Sequence, residues 1–70
     1  MRFTRHAKNG ARQLRLTIAD AEKVVGEPIR MEMDEAGKPK YYGKVSGIAV
    51  CVVVALDDPD LIVTIYPRRK

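Results

Sequence analysis

The chain reads as an α+β domain: two N-terminal helices packed on a four-stranded antiparallel meander sheet. Three observations predict it. Apolar residues recur at helical spacing as far as Gly26. Pro28 ends that period, and apolar–polar alternation replaces it. Turn-forming residues then divide the alternating part into four segments. Residues 1–70 make one domain, because a chain of 70 residues holds a single small core.

Phe3 is a candidate to close a short leading strand. Thr4 is a fair N-cap, and a helix is expected from Arg5 to about Leu14. At about 100° per residue, Ala7, Ala11 and Leu14 share one face. Arg5, Lys8, Arg12 and Arg15 fall on an adjoining stripe, and His6, Asn9 and Gln13 take the remaining arc. Gly10 costs a helix about 1 kcal/mol relative to Ala. It either permits a close approach or kinks the helix. In the second helix, Thr17 and Asp20 form a capping box with the shorter acid. Ile18, Ala21, Val24 and Val25 supply the apolar face, Gly26 the C′ residue and Pro28 the stop. Arg15 and Leu16 leave room only for a tight connection between the helices.

The rest reads as strands. Residues 29–34 alternate, with Ile29, Met31 and Met33 on one face. Residues 35–38 form a turn, 40–45 alternate again, and Ser46-Gly47 is a two-residue hairpin connection. Residues 48–56 are nearly all apolar, as in a strand covered on both faces. Asp57 to Asp60 make the next turn, and residues 61–66 the last strand. By period two, the helices should cover Ile29, Met31, Met33, Tyr41, Val45, Ile48, Val50, Val52, Val54, Leu56, Leu61, Val63 and Ile65. The other face carries Arg30, Lys40, Tyr42, Lys44, Ala49, Cys51, Val53, Ala55, Ile62, Thr64 and Tyr66. That is a small apolar floor rimmed by cations and tyrosines. A second copy, a protein or nucleic acid is expected to cover it.

The net charge is +4, and it is gathered at the two ends. Arg2, Arg5, Lys8, Arg12 and Arg15 occur in residues 1–15 without an acid, and Arg68, Arg69 and Lys70 close the chain. If the fold brings the ends together, Arg5, Arg12, Arg68 and Arg69 make one anion-binding patch. RNA or another polyanion fits such a patch, and so does an acidic protein. The plain alternative is solvated surface charge. Cys51 is the only cysteine, so neither an intrachain disulfide nor a cysteine zinc cluster can form. The longest apolar run, residues 48–56, is far too short to span a bilayer, and no apolar segment follows the basic start as in a secretory signal. A cytoplasmic location without membrane contact is expected.

Phe3-Thr4-Arg5-His6-Ala7, the span from Ile18 to Val24, Tyr41-Tyr42-Gly43 and Val63-Thr64-Ile65-Tyr66-Pro67 follow one another along nearly the whole chain. In that order they resemble the small BrnT and RelE-like toxin families, and most closely their uncharacterised bacterial and phage relatives. Those relatives commonly enter the second helix through Arg-Gly-Ile, where this chain has Arg15-Leu16-Thr17-Ile18. The resemblance implies a compact sheet fold related to ribonuclease toxins that act on RNA and are silenced by an antitoxin.

A metal-free ribonuclease needs a base for the 2′-hydroxyl, a cation for the phosphorane and an acid for the leaving oxygen. His6 is the only histidine, and an ordinary imidazole titrates near neutral pH. The expected catalytic residues are His6, Tyr66 and Lys44. The competing role for His6 is packing at the first turn of its helix. The expected nucleic-acid contacts are Arg5, Lys8, Arg12, Arg15, Lys40, Tyr42, Arg68 and Arg69. Cys51 reads as a small core or interface residue. No Walker loop, dinucleotide turn, serine triad or metal cluster is present, so no cofactor and no metal are expected. The expected function is a toxin-like nucleic-acid-binding protein with ribonuclease activity open. The alternative is a non-enzymatic protein-binding module, an inhibitor or regulator, docking through the open sheet face. A homodimer fits either.

Overall fold

The computed structural model describes residues 1–68. The chain opens on a short strand, β1 (Arg2–Phe3), and Thr4 turns it into α1 (Arg5–Leu14). The Thr4 hydroxyl accepts the Ala7 N–H at 3.1 Å and so satisfies one of the free donors of the first turn. α1 closes on Arg15, held in the left-handed region at φ 57°. There the N–H groups of Arg15 and Leu16 reach back to the carbonyls of Arg12 and Ala11, at 3.1 and 2.8 Å. α2 (Ile18–Gly26) begins with the expected capping box: Thr17 N–H donates to Asp20 at 3.0 Å, and Asp20 N–H to the Thr17 hydroxyl at 3.1 Å. Gly26 is the last helical residue rather than a left-handed cap, and Glu27 N–H closes the final turn on the Lys23 carbonyl at 2.8 Å.

Four strands follow: β2 (Arg30–Met33), β3 (Pro39–Val45), β4 (Ile48–Val54) and β5 (Leu61–Pro67). They form the expected antiparallel meander. Ser46 and Gly47 make the tight connection, both at positive φ, 51° and 81°. The sheet nevertheless has five strands and is mixed, in the order β1-β5-β4-β3-β2. β1 lies parallel to β5, with Arg2 opposite Leu61 and Phe3 opposite Ile62. Two residues are too few to show alternation. Long-range bonds hold this strand instead. Arg2 N–H donates to Asp60 at 2.8 Å, Thr4 N–H to Ile62 at 3.0 Å, and the Thr4 hydroxyl to Val63 at 2.7 Å. Arg2 pairs with Asp58, and the terminal ammonium lies 3.4 Å from Glu22 and 3.6 Å from Asp60.

The core lies between the helices and one sheet face. It contains Ala7, Ala11, Ala21, Val24, Val50, Val52, Ile62 and Ile65, with Phe3, Leu14, Leu16, Tyr41 and Val45 packed around them. α1 rests on β5, and α2 on β3 and β4. Each fully buried Val or Ile contributes about 1.5–3 kcal/mol. Ile62, expected on the far face, is wholly buried in this core. The cause is a bulge. Val53 pairs with Thr64 but Val54 pairs with Ile62, so Val63 is the extra residue and the alternation of β5 slips by one.

The helices do not reach β2. Ile29, Met31 and Met33, expected beneath them, are 72%, 53% and 64% exposed, and Leu56 is 62% exposed. The reason is width. Two helices about 10 Å across cover about four strands spaced 4.8 Å apart. The fifth strand is left bare on that side.

Candidate nucleic-acid interface

The sheet face turned away from the helices carries two cross-strand rows. The first runs Arg30, Tyr42, Cys51 and Tyr66 across β2, β3, β4 and β5. The second runs Glu32, Lys40, Val53 and Thr64. Lys44 lies opposite Ala49, and Arg68 N–H bonds to the Ala49 carbonyl at 2.9 Å. Alternation therefore puts Arg30, Lys40, Lys44 and Arg68 on one surface with Glu32, and with Asp34 at the turn.

The apolar floor is not bare. Cys51 and Val53 are buried although no helix lies over them. Flanking Tyr42, Lys40, Thr64 and Tyr66 side chains close over these smaller neighbours, so the floor needs no partner to leave water. The Arg68 guanidinium stands 4.5 Å from the centre of the Tyr42 ring, and the Tyr42 hydroxyl donates to Glu32 at 3.3 Å. Arg30 pairs with Glu32 at 2.6 Å. Lys40, Lys44 and Arg68 form no ion pair among the described residues.

Hydrogen bonding to the Cys51 thiol, then burial, then the nearby thiol and the Asp34 and Glu32 carboxylates push the Tyr66 hydroxyl up to about 12. Burial first, then Cys51 and Glu32, raise Tyr42 as well. Both phenols are therefore neutral donors at physiological pH. Tyr42 and Tyr66 stand two strands apart, about 10 Å, with only Cys51 between them. That spacing separates two aromatic rings above one apolar floor.

His6 and Tyr66 line one groove of about 420 Å³ between α1 and the end of β5, together with Asn9, Gly10 and Gln13. Lys44 does not join them. It borders a separate hollow of about 210 Å³ with Asp20 and Lys23. Of the three expected catalytic residues, the fold thus brings His6 and Tyr66 to one groove and sets Lys44 apart.

The two basic ends of the chain do not merge either. β1 sits at the start of β5, while Arg68 follows its far end, about 23 Å away at 3.3 Å per residue. On α1 it is His6, Asn9 and Gln13 that face the end of β5. Lys8 and Arg12 lie on the other flank, in a hollow with Phe3, Leu16 and Ile18. Arg5 and Arg15 are exposed, and none of these four cations has an ion-pair partner among the described residues. Arg69 lies outside the described residues.

Period two alone places Lys40, Tyr42 and Tyr66 on the open face, in agreement with the strand register. It could not show Arg68 folding back over Tyr42, because Pro67 interrupts the pattern. No helix of the described residues is long and apolar enough to cross a membrane. Comparison of the chain with family models, with curated proteins and with solved structures finds no match.

Proposed function

We propose that this protein binds single-stranded nucleic acid, RNA foremost, across the open face of its sheet and with little sequence preference. The observation that carries this reading is the row Tyr42, Cys51, Tyr66 with Arg68 stacked on Tyr42, and beside it Lys40 and Lys44, which form no ion pair among the described residues. Bases stack on aromatic faces whatever their identity, at about 1–3 kcal/mol each. The lysines and Arg68 neutralise the phosphates that follow. Few side chains on this face can read base edges, which is why the preference is weak.

Titration of labelled single-stranded and duplex RNA at low salt tests the reading. Single strands should bind more tightly, and Tyr66→Ala, which removes the ring on this face that Arg68 does not cover, should weaken them by about tenfold through loss of one stacked base. Equal binding of duplex and single strands, or none at all, would overturn it. If an acidic protein binds and RNA does not, the cations serve a protein partner such as an antitoxin.

RNA cleavage is a second reading, in line with the resemblance to ribonuclease toxins. One observation favours it: His6 and Tyr66 share the groove beside the proposed binding face. With the phenol protonated, Tyr66 serves as the acid or as a phosphate donor, and His6 as the base. Loss of cleavage in His6→Gln with RNA binding retained is the expected result. Absence of cleavage by the wild-type chain would leave a binding protein only.

A further inference from the structure

We infer that β2 is a dimerisation edge, pairing antiparallel with β2 of a second copy about a two-fold axis at Met31. β2 is one outer edge of the sheet, and neither helix rests on it. Its main-chain groups are aimed for pairing. Asp34 N–H bonds inward to Lys38 at 3.0 Å, so by alternation residues 30 and 32 face β3 while Met31 and Met33 point outward. Pro39 agrees with this: it stands opposite Met33, where β3 has no N–H to donate.

The sequence of the edge is complementary to itself. About a two-fold at Met31, Met31 meets Met31 of the second copy and Arg30 meets Glu32, while Ile29 meets Met33 through its side chain only, because the Ile29 N–H already donates to the Tyr42 carbonyl at 2.8 Å. The three apolar pairs fall on the helix side, where Ile29, Met31 and Met33 are exposed. The two charge pairs fall on the open face. There the 2.6 Å Arg30–Glu32 pair within each strand becomes a ring of alternating charge across two strands. Shifting the strands by two residues sets Glu32 against Glu32 between two Arg30–Asp34 pairs in one direction, and Arg30 against Arg30 in the other, so only the register centred on Met31 pairs opposite charges without a like-charged pair at the axis.

The other edge is protected differently. β1 covers the start of β5, α1 packs along it, and Pro67 ends it. A dimer through β2 is therefore closed rather than open-ended. It joins two sheets into one of ten strands and sets the two open faces side by side. This assembly does not depend on nucleic-acid binding. It also differs from a dimer formed through the open face, whose floor is already covered.

Sedimentation of the full chain at micromolar concentration tests the inference. The wild type should sediment at twice 7.9 kDa. Met31→Lys sets like charges together at the axis and should raise the dimer Kd by at least about tenfold. Its circular dichroism should match the wild type, since the Met31 side chain is exposed in the single chain, while its melting should lose the dependence on protein concentration that the wild-type dimer shows. Glu32→Lys should weaken the dimer, and Arg30→Glu combined with Glu32→Lys should restore it, because the exchange rebuilds both cross-strand pairs. A wild-type monomer, a dimer untouched by Met31→Lys, failure of the double exchange to restore pairing, or open-ended oligomers would each overturn the inference.

Discussion

Gly10 of α1 lies directly against the main chain of Ile65 on β5. A Cβ added to Gly10 would overlap the Ile65 carbonyl oxygen and come within 3.2 Å of its carbon. Gly10 thus sets the distance between helix and sheet, and α1 runs unbroken through it from Arg5 to Leu14.

Gly10→Ala should therefore destabilise the fold. In an exposed helix the change gains about 1 kcal/mol. Here the overlap must be relieved by moving α1 off β5, and a net loss of about 1–3 kcal/mol is expected. The urea midpoint should fall accordingly. A rise in the midpoint would show that the helix and sheet are not in this contact.

Arg15 and Ser46 occupy the left-handed region without being glycine, at φ 57° and 51°. That conformation costs an ordinary residue about 1 kcal/mol. Arg15→Gly and Ser46→Asn should each raise the melting temperature, the second because Asn-Gly is the preferred pair in such a hairpin. Thermal unfolding of the two variants checks this.

The Tyr66 hydroxyl, pushed up to about 12, ties stability to alkaline pH. The folded chain holds this proton above the ordinary tyrosine value of 10, where the unfolded chain has released it. Protons bound in the unfolded state minus those in the folded state is then negative, and stability declines as pH rises from about 10 to 12. Below that window the contribution is fully present. Denaturation across the range should show a steeper fall for the wild type than for Tyr66→Phe.

Salt dependence separates the two basic surfaces. Lys40→Gln and Lys44→Gln should each flatten the slope of log affinity against log salt by about 0.7 for a single strand. Lys8→Gln and Arg12→Gln, on the far flank of α1, should leave binding of a short single strand nearly unchanged. A larger effect from the helix pair would move the interface from the sheet to α1.

Both helices were readable because their ends are local chemistry. Thr4, Thr17 and Asp20 make their capping bonds within three residues, and no distant group is needed. The strands were readable from period two, and so were the tyrosines and lysines of the open face. Three features were not. The β1–β5 pairing depends on contacts across more than fifty residues, which alternation does not register. The bulge at Val63 shifts the phase of β5 without leaving a Gly or Pro to mark it, so Ile62 was assigned to the wrong face. Exposure of β2 follows from how far two helices extend across the sheet, a property of tertiary width. Of the candidate site, no local pattern could show that His6 and Tyr66 line one groove and Lys44 another, since each lies on a different element.

The parallel seam between β1 and β5 orders events during synthesis. Residues 2–4 are tied to residues 60–63, and the alanine face of α1 finds its sheet partner only in β5. A ribosome that has released residues 1–54 therefore holds α2 with its strands β3 and β4, but an α1 with no place to land and a hairpin whose Val50 and Val52 are only partly covered. Only emergence of Leu61 to Pro67 lets the first and last elements join, so most of the fold must form in one late step.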